Sequence, residues 1–201
     1  MLQEVKEVLA ATYSTTELRG DGQVVCVNFT SYNVEVVPAF LLTDGRYWIC
    51  DTNEGGRYKV ADPFAEATKI EAVDASCSGN LRPLICMLKA WQAECSVPLD
   101  SYILELLVAE FLAESAWRNQ TYFWCDWLLR DFFAFLCARA SGFTTLPGPF
   151  QLIYLGDDWE SRAQTAYKRA LDACEYEREN YVHLAGQEWQ KIFGAQIPVA
   201  P

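Results

Sequence analysis

Apolar residues in this chain pass from strand alternation to sustained helical spacing at Asp62-Pro63, and that change limits what its 201 residues can fold into. Ahead of it, Leu2, Val5, Val8 and Leu9 recur at helical spacing. The chain therefore opens with an amphipathic helix that ends before the Gly20-Asp21-Gly22 turn. Alternation follows: Val25, Val27 and Phe29 interleave with Cys26, Asn28 and Thr30. Ser31-Tyr32-Asn33 then turns the chain into Val34-Glu35-Val36-Val37, and Tyr47-Trp48-Ile49-Cys50 supplies a third strand. Proline cannot donate to a central ladder, so Pro38 marks the limit of this small antiparallel sheet.

Beyond Asp62-Pro63 the apolar period lengthens to that of a helix. Leu81, Leu84, Ile85 and Leu88 form one stripe, and a second helix is expected to start at Asp100 or Ser101, where a short polar side chain caps free amides. A third covers residues 123–140, and a last helical region runs over 159–193 with Gly186 as its break. Residues 142–148 read as a loop, with Pro147 and Pro149 at its end. A helix, a meander of strands and then a run of helices is an α+β arrangement, expected here as residues 1–62 and 63–201.

A composition of 51% hydrophobic residues with 14% aromatics supports a folded core and excludes a disordered chain. A formal net charge of -11 argues against non-specific binding of DNA or RNA, which depends on clustered Lys and Arg neutralising phosphates. The eight cysteines stand among apolar neighbours without Cys-x-x-Cys pairing, so buried reduced thiols are expected, with neither a disulfide framework nor a structural zinc. His183 is the only histidine and has no partner at metal or triad spacing. No stretch is long and apolar enough for a signal peptide or a membrane span, and a soluble cytoplasmic protein is the expectation.

Glu35 sits between Val34 and Val36 on a strand. Its carboxylate either faces solvent on the wet side of the sheet or, if buried, demands a metal or cation. Lys89 near the end of one helix and Ser101 at the start of the next form a second constellation. Together with a helix N-terminus they suit an anion, although a plain cap and a surface lysine use the same residues. Asp51, Thr52, Asn53, Gly55, Gly56 and Arg57 make a polar, glycine-bearing loop leading into Asp62 without Walker spacing. The acidic residues Asp157-Asp158 and Glu175-x-Glu177-x-Glu179 read as solvated faces.

Four segments fall in a telling order: Asn33 to Phe40 (NVEVVPAF), Lys89-Ala90-Trp91, Asp100 to Glu105 (DSYILE) and Glu188 to Gly194 (EWQKIFG), the last preceded by Trp159-x-x-Arg162-Ala163. In this order they resemble the CD-NTase family, the bacterial cyclic-oligonucleotide synthases, which are similar in their core to oligoadenylate synthases and polymerase-β-type nucleotidyltransferases. The resemblance implies part of a nucleotidyltransferase palm followed by a helical bundle. It implies joining of nucleoside triphosphates with release of pyrophosphate, assisted by Mg²⁺ or Mn²⁺, in antiviral defence. Glu35 would then be the metal-binding, proton-accepting carboxylate, at a position where the family more often has Asp. Lys89 and Ser101 would touch the triphosphate, Arg57 and Asp62 would border the nucleotide pocket, and the EWQKIFG segment would be structural. The family's opening Gly-Ser loop and Asp-x-Asp strand, which bring two more metal-binding carboxylates, have no counterpart in these residues. One carboxylate cannot fix two ions, so the chain alone is expected to be catalytically silent. Self-association, or pairing with a polypeptide carrying the front half, is expected in turn. The alternative expectation is a non-catalytic nucleotide-binding or regulatory protein.

Overall fold

The computed structural model describes residues 1–52, 56–148 and 151–199. The chain divides into two compact units. The first comprises Met1–Glu66 with Pro147 and Gly148, and the second Ala67–Leu146 with the described residues from Gln151 onward.

The first unit begins with helix α1 (Leu2–Thr12), followed by strands β1 (Glu17–Asp21), β2 (Val24–Asn28) and β3 (Asn33–Val36). These form one antiparallel sheet in the order β1-β2-β3. Gly20 and Asp21 belong to β1, and the turn itself rests on Gly22, whose φ of +57° suits a residue without a Cβ. A second antiparallel sheet holds β4 (Ala39–Leu41), β5 (Tyr47–Asp51) and β6 (Arg57–Ala61). The expected single meander of three strands is thus two sheets of three. Pro38 lies between β3 and β4, ending the first ladder as its missing N–H requires. Strands β1, β4 and β6 escaped the alternation rule because their side chains are largely exposed or polar on both faces.

Helix α2 (Pro63–Ser76) starts where the apolar period lengthens. Asp62 is its cap, the carboxylate accepting from the Ala65 amide at 2.9 Å. Gly148, with φ +79°, lies so close that a Cβ there would fall 2.6 Å from that of Asp62.

The second unit is built from α3 (Leu81–Glu94), α4 (Ser101–Glu114), α5 (Cys125–Ala138), α6 (Glu160–Arg178) and α7 (Val182–Phe193). Its core joins Leu81, Leu84, Leu88 and Trp91 of α3 to Leu104, Leu107 and Val108 of α4, Phe132, Phe133 and Leu136 of α5, and Ala163, Ala166 and Ala170 of α6. Small residues on α6 let its neighbours approach closely, and α7 closes the core with Trp189, Ile192 and Phe193, all on one helical face. The last helical region breaks at Asn180, which takes φ +65° between α6 and α7. Gly186, the expected break, lies inside α7, where a Cβ would stand 2.4 Å from the Val199 carbonyl oxygen. Close packing, not a turn, explains this glycine.

Within the expected loop 142–148, Phe143–Thr145 forms β7 and pairs with β8 (Leu152–Tyr154), while Pro149 lies outside the described residues. The helix expected over 123–140 is α5, preceded by a single 3-10 turn at Tyr122–Trp124. Of the eight cysteines only Cys77 and Cys174 are buried, Cys86 is exposed, and the rest are half-buried, so most thiols are less enclosed than expected. Among the described residues no helix is long and apolar enough to cross a membrane.

Candidate functional site

Strand pairing decides which way Glu35 points. It lies opposite Cys26, itself opposite Arg19, whereas Val34 pairs with Val27 and Val36 with Val25. Val25 and Val27 are buried, so alternation puts Glu35 on the opposite face, where it is exposed. It lines a cavity of about 290 Å³ together with Asp21, Gln23, Cys26 and Lys59. The Gln23 side-chain oxygen is buried and has no hydrogen-bond partner among the described residues.

Lys59 enters this cavity from β6 and also serves a buried carboxylate. Asp51, 5% exposed, is flanked by Lys59 Nζ at 3.5 Å and Arg57 Nε at 3.7 Å. Asp51 faces Arg57 across the β5–β6 ladder, and Lys59 is two residues further along, on the same face. The residues read as a polar, glycine-bearing loop are therefore in part a strand pair, and Arg57 is a partner of Asp51. Asn53 and Gly55 lie outside the described residues. The sequence reading missed Lys59 and the burial of Asp51. The available signal was the Arg57-x-Lys59 alternation, which places two cations on one face of a strand.

The residues present do not fit a two-ion centre. The cavity holds two carboxylates, Asp21 and Glu35, and Asp21 is engaged with Arg19 at 3.1 Å. Among the described residues no three His, Cys, Asp or Glu side chains are grouped to hold a metal.

In the second unit, Lys89 of α3 forms an ion pair with Glu105 of α4. Both side chains are partly exposed, so Lys89 is committed but not locked. Asp100, not Ser101, caps α4: its carboxylate accepts from the Tyr102 amide at 2.8 Å and the Ile103 amide at 3.1 Å. Amides that could have faced a phosphate are thus already occupied by an acid of the chain. Ser101 is the first helical residue and is exposed, which leaves its hydroxyl and the Lys89 ammonium as the donors for an anion. The two units bring together Glu35, Asp21 and Lys59 in one place and Lys89, Glu105 and Ser101 on adjoining helices in the other.

Residues 1–73 match the Second Messenger Oligonucleotide or Dinucleotide Synthetase domain. The chain is thus similar to second-messenger nucleotide synthases. It is 21% identical to a probable cyclic nucleotide synthase of Bacillus cereus, with 98% of this chain and 62% of that protein aligned. The chain therefore spans somewhat less than two thirds of this relative's length. Among solved structures it is similar to Vibrio cholerae DncV in its apo form, with a TM-score of 0.79 at 12% identity over 98% of this chain and 55% of that one. It is also similar to Escherichia coli MS115-1 CdnC with ATP, with a TM-score of 0.65 at 17% identity over 98% and 72%. These likenesses establish an α+β nucleotidyltransferase fold of the CD-NTase type.

Proposed function

We propose that this chain belongs to the CD-NTase family and is the nucleotide-handling portion of a cyclic-oligonucleotide synthase, binding nucleoside triphosphates but forming no phosphodiester bonds as these 201 residues alone. The observation that carries the reading is Glu35, held exposed by strand register at the position of the NVEVVPAF segment, beside a lysine and a cavity. The similarity to CdnC, whose structure was solved with ATP, supports a triphosphate as ligand. Lys89 and Ser101 supply a cation and a hydroxyl for phosphate, and Arg57 and Lys59 supply further positive charge around Asp51. Metal-assisted transfer needs carboxylates that fix two ions, and the described residues group no such set, which is why transfer itself is not proposed for this chain. We place the protein in antiviral defence and in the cytoplasm on the family likeness.

Incubation with labelled nucleoside triphosphates and Mg²⁺ or Mn²⁺ should give no oligonucleotide. A product that disappears in Glu35→Ala would overturn the claim of silence. A second reading, a binding partner for another polypeptide, rests on the sheet edges. Strands β1 and β3 each have only one neighbour among the described residues, as do β4 and β6, and such edges accept a further strand.

A further inference from the structure

A cleft of about 450 Å³ opens in the second unit where the C-terminal ends of α3 and α7 meet the first half of α6. Its walls include Arg162, Thr165 and Arg169 of α6, with Trp91, Cys95 and Ile192. Arg162 and Arg169 are seven residues apart, two helical turns, and so project from one face of α6 with Thr165 between them. Arg162 Nη1 donates to the Cys95 carbonyl, the C-cap of α3, and Arg169 Nη1 donates to the Lys191 carbonyl in the last turn of α7 at 2.5 Å. Each guanidinium thereby partners a helix-end carbonyl that has no intrahelical donor. A guanidinium carries five N–H groups in a planar fork, so one bond each fixes its position and leaves most of its donors unspent.

Other features of the cleft favour an anion with an apolar body. Burial pushes the Cys95 thiol up, so at neutral pH it adds no negative charge, and its Sγ donates to the Ile192 carbonyl at 3.6 Å. Glu94 is the one carboxylate on the walls, set against two guanidinium groups. Gly194, at φ +83°, makes room for it, since a Cβ there would stand 2.7 Å from Glu94 Oε2. The inner wall is apolar, made by Ala166, Ile192 and the Trp91 indole. The Trp91 Nε1–H is buried and has no partner among the described residues, which is uncommon for a tryptophan in a core. The volume lies within the range of small-molecule sites.

We propose that this cleft binds a small organic phosphate, its phosphate group bridged by Arg162 and Arg169 and its apolar part laid against Trp91 and Ile192. Two guanidinium groups approaching from separate turns suit a dianionic, multi-oxygen group better than a carboxylate with two oxygens. The inference is independent of nucleotide binding at Lys89.

Phenyl phosphate is the probe, titrated into the full chain by calorimetry and by NMR of the indole N–H signals, with benzoate in parallel. Saturable binding that shifts the Trp91 indole signal is expected, tighter than benzoate by tenfold or more. Arg169→Gln and Arg162→Lys should each weaken it about tenfold, as expected for losing a charge-assisted fork. Arg162→Lys keeps a donor for the α3 cap, so a loss of affinity with unchanged thermal midpoint separates binding from folding. Lys89→Ala should leave phenyl phosphate binding unchanged. No binding at about 10 mM probe, an affinity weaker than any useful site, overturns the proposal, as does equal affinity in the arginine variants or for benzoate.

Discussion

Lys89, proposed to hold a phosphate, is occupied and still available. Its ion pair with Glu105 joins two partly exposed side chains, and such pairs contribute about 0–1 kcal/mol. Under the proposed function a triphosphate oxygen would offer Lys89 a charge-assisted bond of about 1.5–3 kcal/mol, enough for it to outcompete Glu105. Lys89→Ala should weaken ATP binding about tenfold or more by calorimetry, whereas Glu105→Gln should strengthen it by releasing the lysine. Equal affinities in wild type and Lys89→Ala would leave Lys89 a plain interhelical tie. Glu177 yields a second prediction, this time of pH dependence. Burial pushes its carboxyl above the usual glutamate range and neighbouring Asp126 adds to this, against a hydrogen bond from Trp189 Nε1 at 2.9 Å that favours the ionised form. A raised native value means the folded state keeps a proton that the unfolded chain releases. The stability from protonated Glu177 is therefore complete below the usual glutamate range and is lost as pH rises through the raised value. Glu177→Gln should flatten that decline, measured as the urea midpoint against pH. The acidic run around Glu177 was expected to be a solvated face. Its helical spacing carried no sign that α7 would bring Trp189 onto one of its carboxylates.

At the scale of the elements, α3 and α4 owe their starts to carboxylates. Asp100 caps α4 from the adjoining position, and the sequence rule for caps located this start to within one residue. The start of α3 was not legible in the same way. Asn80 precedes the helix, but the amides of Leu81 and Arg82 are met at 3.0 Å and 3.4 Å by Asp74 from the end of α2, which also pairs with Arg82 at 3.4 Å. A cap supplied from seven residues away depends on how the chain turns between two helices, which no local rule contains. Asp100→Ala and Asp74→Ala should each cost about 0.5–2 kcal/mol by denaturant unfolding, with the loss at Asp74 at the upper end because its ion pair to Arg82 goes as well. An unchanged midpoint in Asp74→Ala would mean that water replaces the carboxylate without cost.

At the scale of the molecule, stability and association divide between the two units. The buried hydrophobic core of the second unit is extensive, whereas the first unit buries Val24, Val25 and Val27 and leaves Phe40, Trp48 and Tyr58 partly exposed on its second sheet. Truncating Phe132, which is fully buried against Phe111 and Phe133, should therefore cost about 3–5 kcal/mol and be seen as a large fall in thermal midpoint. Strand edges without a second neighbour among the described residues, and exposed aromatics in the first unit, favour association. Light scattering should report a species larger than the 22.8 kDa chain, and a monodisperse monomer at all concentrations would speak against it.

By itself the sequence determined the fold class, the change from strands to helices at Asp62-Pro63 and the apolar faces of α3 and α7, because each is written in local period. Tertiary structure alone decided the rest. It split the meander into two sheets, buried Asp51 between Arg57 and Lys59 and turned Gly186 from a break into a packing contact. Arg162, read only as part of a structural signature, and Arg169 line a cleft only because α3 and α7 end where they do. The physical reason is the same throughout. Period and propensity act within a few residues, whereas the partner of a charge or the neighbour of a glycine is set by how separate segments come to lie against one another.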